Sequence, residues 1–163
     1  MSESSLQLHN IPPVYDERST RLILGSFPSV LSRRTDFFYG HPQNRFWKVL
    51  AEVFDCPLPA TVAEKKSLIL SHNLALFDVS ASCEIAGSAD SAIKNVIPND
   101  LSPILKNSKI TEIFVNGKTA EKYYDKYLRS ETGIDCICLP STSPANAAFS
   151  LDKLVESWKI IAE

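Results

Sequence analysis

The stretch EIFVNGKTAEKYYDKYLRS, residues 112–130, decides how the chain is read. Its first part is an apolar run, Ile113, Phe114 and Val115, closed by Asn116 and Gly117. An unbroken run of this kind marks a strand covered on both faces, as in a parallel sheet. Helical spacing begins immediately after Gly117. A buried strand feeding directly into a helix is half of a βαβ unit.

The same alternation extends in both directions. RLILG (21–25), LALFDV (74–79) and IDCICLP (134–140) are three further short apolar runs. Residues 44–54 place Phe46, Trp47, Leu50, Val53 and Phe54 on one helical stripe. In TVAEKKSLILSH (61–72), Thr61 is an N-cap with Glu64 at the capping-box position, and Ser150 caps SLDKLVESWKIIAE (150–163). The spacing predicts an α/β fold: a parallel sheet with right-handed crossovers and helices on both faces.

A chain of 163 residues fits a single domain, 1–163, with residues 1–18 expected as an irregular arm. Hydrophobic content is 44% and charged content 22%, as in ordinary globular chains. No apolar run approaches the roughly 20 residues of a membrane span, and MSESSLQLHN lacks the pattern of a signal peptide. A cytoplasmic protein, not a membrane one, is the expectation. Cys56, Cys83, Cys136 and Cys138 include no CxxC pair and no histidine at zinc spacing, so structural thiols are expected and no metal. Cys136 and Cys138 should share one side of a buried strand.

A net charge of -2 argues against a strongly basic nucleic-acid binder, but the charge is unevenly spread. Residues 30–50 hold Arg33, Arg34, Arg45 and Lys48 against Asp36 alone, whereas residues 52–105 hold three basic and seven acidic side chains. Residues 106–129 carry six basic and three acidic groups. Local basic surfaces are therefore expected on an acidic whole, although solvated helix faces explain the last stretch equally well.

Ligands of open parallel sheets bind beyond the carboxyl ends of the strands. The loops there are GSFPSVLSRRTDFFYGHPQN, SASCEIAGSADSAI, Asn116-Gly117 and PSTSPANA, all rich in small polar residues, Gly, Pro or amides. Asn116 is either a cap or a reader of a polar ligand edge, since a carboxamide sets a donor beside an acceptor. PSTSPANA brings three hydroxyls together before the last helix, suited to a phosphate or simply to a stiff turn. Ser26, Ser29 and Ser32 carry the same two readings. His41 stands alone among the cleft loops. There is no GxSxG, no GxxxxGK[ST] and no GxGxxG. Flavin or nucleotide binding on a flavodoxin-like sheet stays open at this point.

Taken in order, LILGSFPSVLS (22–32), FFYGHPQNRFW (37–47), IFVNGKTA (113–120) and LPSTSPANA (139–147) resemble the uracil-DNA glycosylase superfamily, and most nearly its hypoxanthine-DNA (deoxyinosine) branch. The resemblance runs from about Arg21 to the final helix. It implies a three-layer α/β/α fold with a four-stranded, mainly parallel sheet. It also implies a monomer that flips a deaminated base out of single- or double-stranded DNA and hydrolyses the glycosidic bond, without metal or organic cofactor. In its terms Asn44 and Asn116 are catalytic, Asn116 reading the flipped base. Ser26, Phe27, Pro28, Phe38, Tyr39 and His41 line the base pocket, Phe38 or Tyr39 offering a stacking face. Ser32, Ser141, Ser143 and Asn146 contact the DNA backbone. Asp36 and His41 are further candidates for proton transfer. Uracil-directed relatives often carry an acidic or amide residue where this chain has Ser26. A uracil or mismatch glycosylase, or a binding module on the same fold, are the alternatives.

Overall fold

The structure, a computed structural model, describes residues 5–8, 11–27, 37–85 and 93–163. Pro28, Ser29, Ser32, Arg33, Arg34 and Asp36, named above, lie outside the described residues.

In chain order the elements are β1 (Ser5–Leu8), β2 (Arg21–Gly25), α1 (Phe46–Val53), α2 (Val62–Ser71), β3 (Leu74–Asp78), β4 (Ser80–Ile85) and β5 (Ile93–Pro98). They continue with α3 (Ser102–Lys106), β6 (Glu112–Asn116), α4 (Lys118–Tyr127), α5 (Arg129–Thr132), β7 (Cys136–Leu139), α6 (Leu151–Trp158) and a closing 3-10 turn (Lys159–Ala162). β3, β2, β6 and β7 form a four-stranded sheet in that order, and every neighbouring pair is parallel. Leu22, Ile23, Leu24, Ile113, Phe114 and Val115 are each 0% exposed. Successive strand residues point to opposite faces, so both faces of β2 and β6 are covered, as a three-layer α/β/α fold requires.

The expected caps are present. Thr61 accepts from the Glu64 N–H while the Glu64 carboxylate accepts from the Thr61 N–H, and Ser150 accepts from the Lys153 N–H. α1 buries Phe46, Trp47, Val49 and Leu50, and the Phe46 ring meets Trp158 of α6 edge to face at 5.8 Å.

Three expectations change. The segment after β3, read as a cleft loop, begins as β4, and β4 pairs antiparallel with β1 and β5 in a second sheet. β1 lies within the N-terminal segment expected to be irregular. The register of β4 on β5 shifts twice, between Ser80 and Ser82 and between Ser82 and Glu84, so the ladder leaves little trace in local alternation. β7, expected as a buried strand, is the sheet's edge: Cys136 and Cys138 share its half-buried face while Ile137 is 36% exposed.

Candidate active site

The parallel sheet delivers Gly25, Asp78, Asn116 and Leu139 to one rim, Gly25 in register with Asp78 and Asn116 with Leu139. Two loops meet over it, residues 37–45 before α1 and residues 140–149 before α6. Their meeting point is Thr142, which is fully buried.

Thr142 holds both candidate asparagines. Its N–H donates to Asn116 Oδ1 at 3.0 Å, and Asn116 Nδ2 donates to Thr142 Oγ1 at 3.0 Å. Its hydroxyl donates to Asn44 Oδ1 at 2.8 Å, and the same oxygen accepts the N–H of Phe46 at 3.0 Å. Thr142 thus brings the two amides into one locality, a link the sequence reading did not name.

The contact alters the expected role of Asn116. The N and Oγ1 of one threonine are only three bonds apart, so its two hydrogen bonds to Asn116 lie side by side on one edge of the carboxamide. A lactam would need that same donor-acceptor edge. In this arrangement Thr142 occupies that edge of Asn116. Gly117 permits this closeness: it has φ 94°, and a Cβ on it would stand 3.1 Å from Ser141 Cβ.

Arg45 closes the second loop. Its guanidinium donates to the carbonyls of Ser143 and Asn146, each at 3.0 Å, and of Phe149, while its N–H donates to Thr142 O at 3.1 Å. Counted among the local basic groups in the sequence, Arg45 instead collects carbonyls. Each tryptophan adds a tether: Trp47 Nε1 donates to Phe38 O at 3.1 Å, and Trp158 Nε1 to Pro140 O at 3.0 Å. Ser141 Oγ accepts the Ser143 N–H, Ser143 Oγ accepts the Ala145 N–H, and Asn146 Nδ2 donates to Ser141 O. Ser141, Ser143 and Asn146, three of the four residues expected to grip the DNA backbone, are thus wound into one compact turn, and Ser32, the fourth, lies outside the described residues.

The aromatic cluster of residues 37–47 is mostly wall. Phe38 is 1% exposed, edge-on to Phe37 and Phe77, so its ring offers no face to a ligand. Phe37 stacks on Trp47 inside the core. Tyr39 differs. It is half-buried, has φ 54°, a left-handed value that bulky residues rarely adopt, and stacks on Phe46 with centroids 4.0 Å apart. The Tyr39 hydroxyl reaches Gly25, where a Cβ would meet it at 2.8 Å and Asp78 Oδ1 at 2.4 Å. Gly25 is thus a place where a side chain would collide with two polar groups of the rim.

Asp78 is 3% exposed and was not singled out from sequence. The signal was there: an acidic residue ending the otherwise apolar LALFD strand. Ser26 is 8% exposed beside it, its carbonyl accepting the N–H of Ser80. Phe27 packs with Val96, Tyr123 and Tyr127, on the side of the second sheet and α4. His41 is half-buried, and its Nδ1 accepts the Gln43 N–H at 3.0 Å. A backbone N–H only donates, so the neutral ring carries its proton on Nε2.

Among the described residues, Glu121, Asp125 and Cys136 bring three potential ligand atoms within 4.8 Å of one another, between α4 and the amino end of β7. Burial, then the carboxylates of Asp125 and Glu121, push the Cys136 thiol up to about 12. Cys138 is raised as well, first by burial and then by Glu121. These thiols stay protonated at neutral pH.

The family model described as the uracil DNA glycosylase superfamily matches residues 12–162. The chain belongs to that superfamily. Among its relatives in the superfamily, a protein of Methanosarcina acetivorans named hypoxanthine DNA glycosylase is 37% identical over 152 residues, covering 92% of this chain and 94% of the relative. A protein of the same name from Methanosarcina barkeri is 33% identical over 156 residues, covering 94% and 96%. The fold agrees with the solution NMR structure of a Methanosarcina acetivorans protein described as a candidate uracil DNA glycosylase. The TM-score is 0.79 at 29% identity, over 98% of this chain and 100% of that one. No helix among the described residues is long and apolar enough to cross a membrane.

Proposed function

We propose that this chain is a monofunctional DNA glycosylase that removes hypoxanthine from deaminated DNA. The reading is carried by one observation: Asn44 is held at the strand-end rim by Phe46 and Thr142, in a chain whose near-full-length relatives bear the name hypoxanthine DNA glycosylase.

The base must first leave the duplex, at a cost of a few kcal/mol. Tyr39 is the aromatic of its loop set nearest Gly25 and Asp78, and a stacked aromatic returns about 1–3 kcal/mol per base. In the chemical step the C1′–N9 bond breaks with its electron pair leaving on the purine. Water oxygen bonds to C1′, the proton that water gives up balances the charge on the base, and hypoxanthine and an abasic site result. Little nucleophilic power is needed against an oxocarbenium-like sugar; the requirement is electrostatic placement.

Asn44 is the group we assign to the glycosidic bond. Asp78 closes β3 in register with Gly25, and its carboxylate is the group we assign to the N1–H of hypoxanthine. Uracil carries a like N–H beside a carbonyl, so pocket size, not hydrogen bonding, has to separate the two. The test is excision from inosine and uracil duplexes side by side, followed by alkaline strand cleavage. Intact inosine strands with folded protein would remove the proposal, and saturable binding without abasic product would make the chain a binding module.

A further inference from the structure

The sense of the Asn44 amide follows from the hydrogen bonds around it. Backbone N–H groups can only donate, so the Thr142 N–H fixes which atom of Asn116 is Oδ1, and the Phe46 N–H does the same for Asn44. Asn116 Nδ2 then faces Thr142 Oγ1, which accepts there and sends its own hydrogen on to Asn44 Oδ1. Asn44 Oδ1 thereby has both lone pairs filled. Among the described residues nothing engages Nδ2 of Asn44, two N–H donors and no acceptor. A flipped Asn44 would set those donors against the Phe46 N–H.

We propose that Thr142 is the positioning residue of this site: its hydroxyl aims the Asn44 amide so that Asn44 acts as a hydrogen-bond donor toward the departing base. The inference rests on the glycosylase reading above. It assigns Asn44 to the leaving group, because an amide with its oxygen filled has nothing with which to take a proton from water. Donors held in place where negative charge grows need no reorganisation at the moment of reaction. Thr142 is fully buried and acts only through the two amides.

Single-turnover excision is measured on duplexes carrying 2′-deoxyinosine or its 2-fluoro analogue, whose base is the more acidic leaving group. Thr142→Val keeps the N–H to Asn116 and removes the hydroxyl. It should slow inosine excision by about 10- to 100-fold, less than the roughly 100- to 1,000-fold cost of losing such a donor outright, because the donors remain and only their aim is lost. The fluoro analogue should lose markedly less, since a better leaving group depends less on a donor. DNA affinity should stay unchanged, and Thr142→Ser should restore the rate on both substrates. Asn44→Asp keeps the accepting oxygen and replaces the donors with a second acceptor. It should be slower than the parent chain, whereas a water-activating residue would become faster.

Equal slowing on both substrates, a Thr142→Val chain at parental rate, or a faster Asn44→Asp chain would overturn the inference alone. A parental chain that excises neither base overturns the glycosylase reading and this inference with it. The Asn44→Asp arm decides the matter even where Thr142→Val does not fold.

Discussion

Asn44 and Thr142 stand 98 positions apart in the chain and 2.8 Å apart across a hydrogen bond. The loop entering α1 and the loop entering α6 are therefore one structure, ordered or lost together. Arg45 strengthens the join, since the three carbonyl partners of its guanidinium and the Thr142 carbonyl that takes its backbone N–H all lie in the second loop.

Asn44→Ala removes the open donors and the acceptor for Phe46 and Thr142. Inosine excision should fall by about 100-fold or more, as for loss of a transition-state donor. The same change deletes the oxygen that accepts the Phe46 N–H, a hydrogen bond of about 0.5–1.5 kcal/mol. A chain of this size should then melt about 2–6 °C lower, read by circular dichroism.

Arg45→Met deletes the charged donors and leaves the carbonyls of Ser143, Asn146 and Phe149 without them. Hydrogen bonds to charged groups contribute about 1.5–3 kcal/mol each, so the stability loss should exceed that of Asn44→Ala. Amide hydrogen exchange should rise across residues 141–149 first. Protection unchanged in that loop would separate Arg45 from its ordering.

Gly25→Ala places a methyl group 2.4 Å from Asp78 Oδ1 and 2.8 Å from the Tyr39 hydroxyl. Neither group can stay. Overpacking of this kind costs about 1–3 kcal/mol, and excision should drop with Asp78 and Tyr39 displaced together. Asp78→Asn, which keeps the shape, should reduce inosine excision while leaving the melting temperature within about 4 °C, the shift expected for about 1–2 kcal/mol.

Cys136 gives a signature in alkali. Its thiol is raised from the ordinary 9.0 to about 12 in the fold, so between those values the unfolded chain loses the proton first. The unfolded state then binds fewer protons than the native one, and stability falls as pH rises through this window. Urea midpoints should drop between pH 9 and pH 11, less steeply in Cys136→Val, and the native thiol should alkylate more slowly at pH 8 than a free cysteine.

The parallel sheet and the helix caps were legible because their signals are local. LILG, LALF, IFV and the Thr61–Glu64 box each declare themselves within a few residues. β1, β4 and β5 were not, because their pairing joins Leu8 to Ser82 and Ser80 to Pro98, far apart in the chain, and the β4–β5 ladder shifts register twice. In the site, Asn44 was named through the family resemblance of FFYGHPQNRFW, but Thr142 looked like one hydroxyl among the three of PSTSPANA. Its partners are 26 and 98 positions away, beyond any local pattern. Arg45 was read by its charge, and Phe38 by its ring, where burial decided both.

The central claim is tested most directly by one assay. Purified protein is incubated with an end-labelled duplex holding a single deoxyinosine, then treated with hot alkali and resolved on a denaturing gel. Strand scission at the inosine, dependent on Asn44, is the predicted result; full-length strands after incubation with folded protein would contradict it.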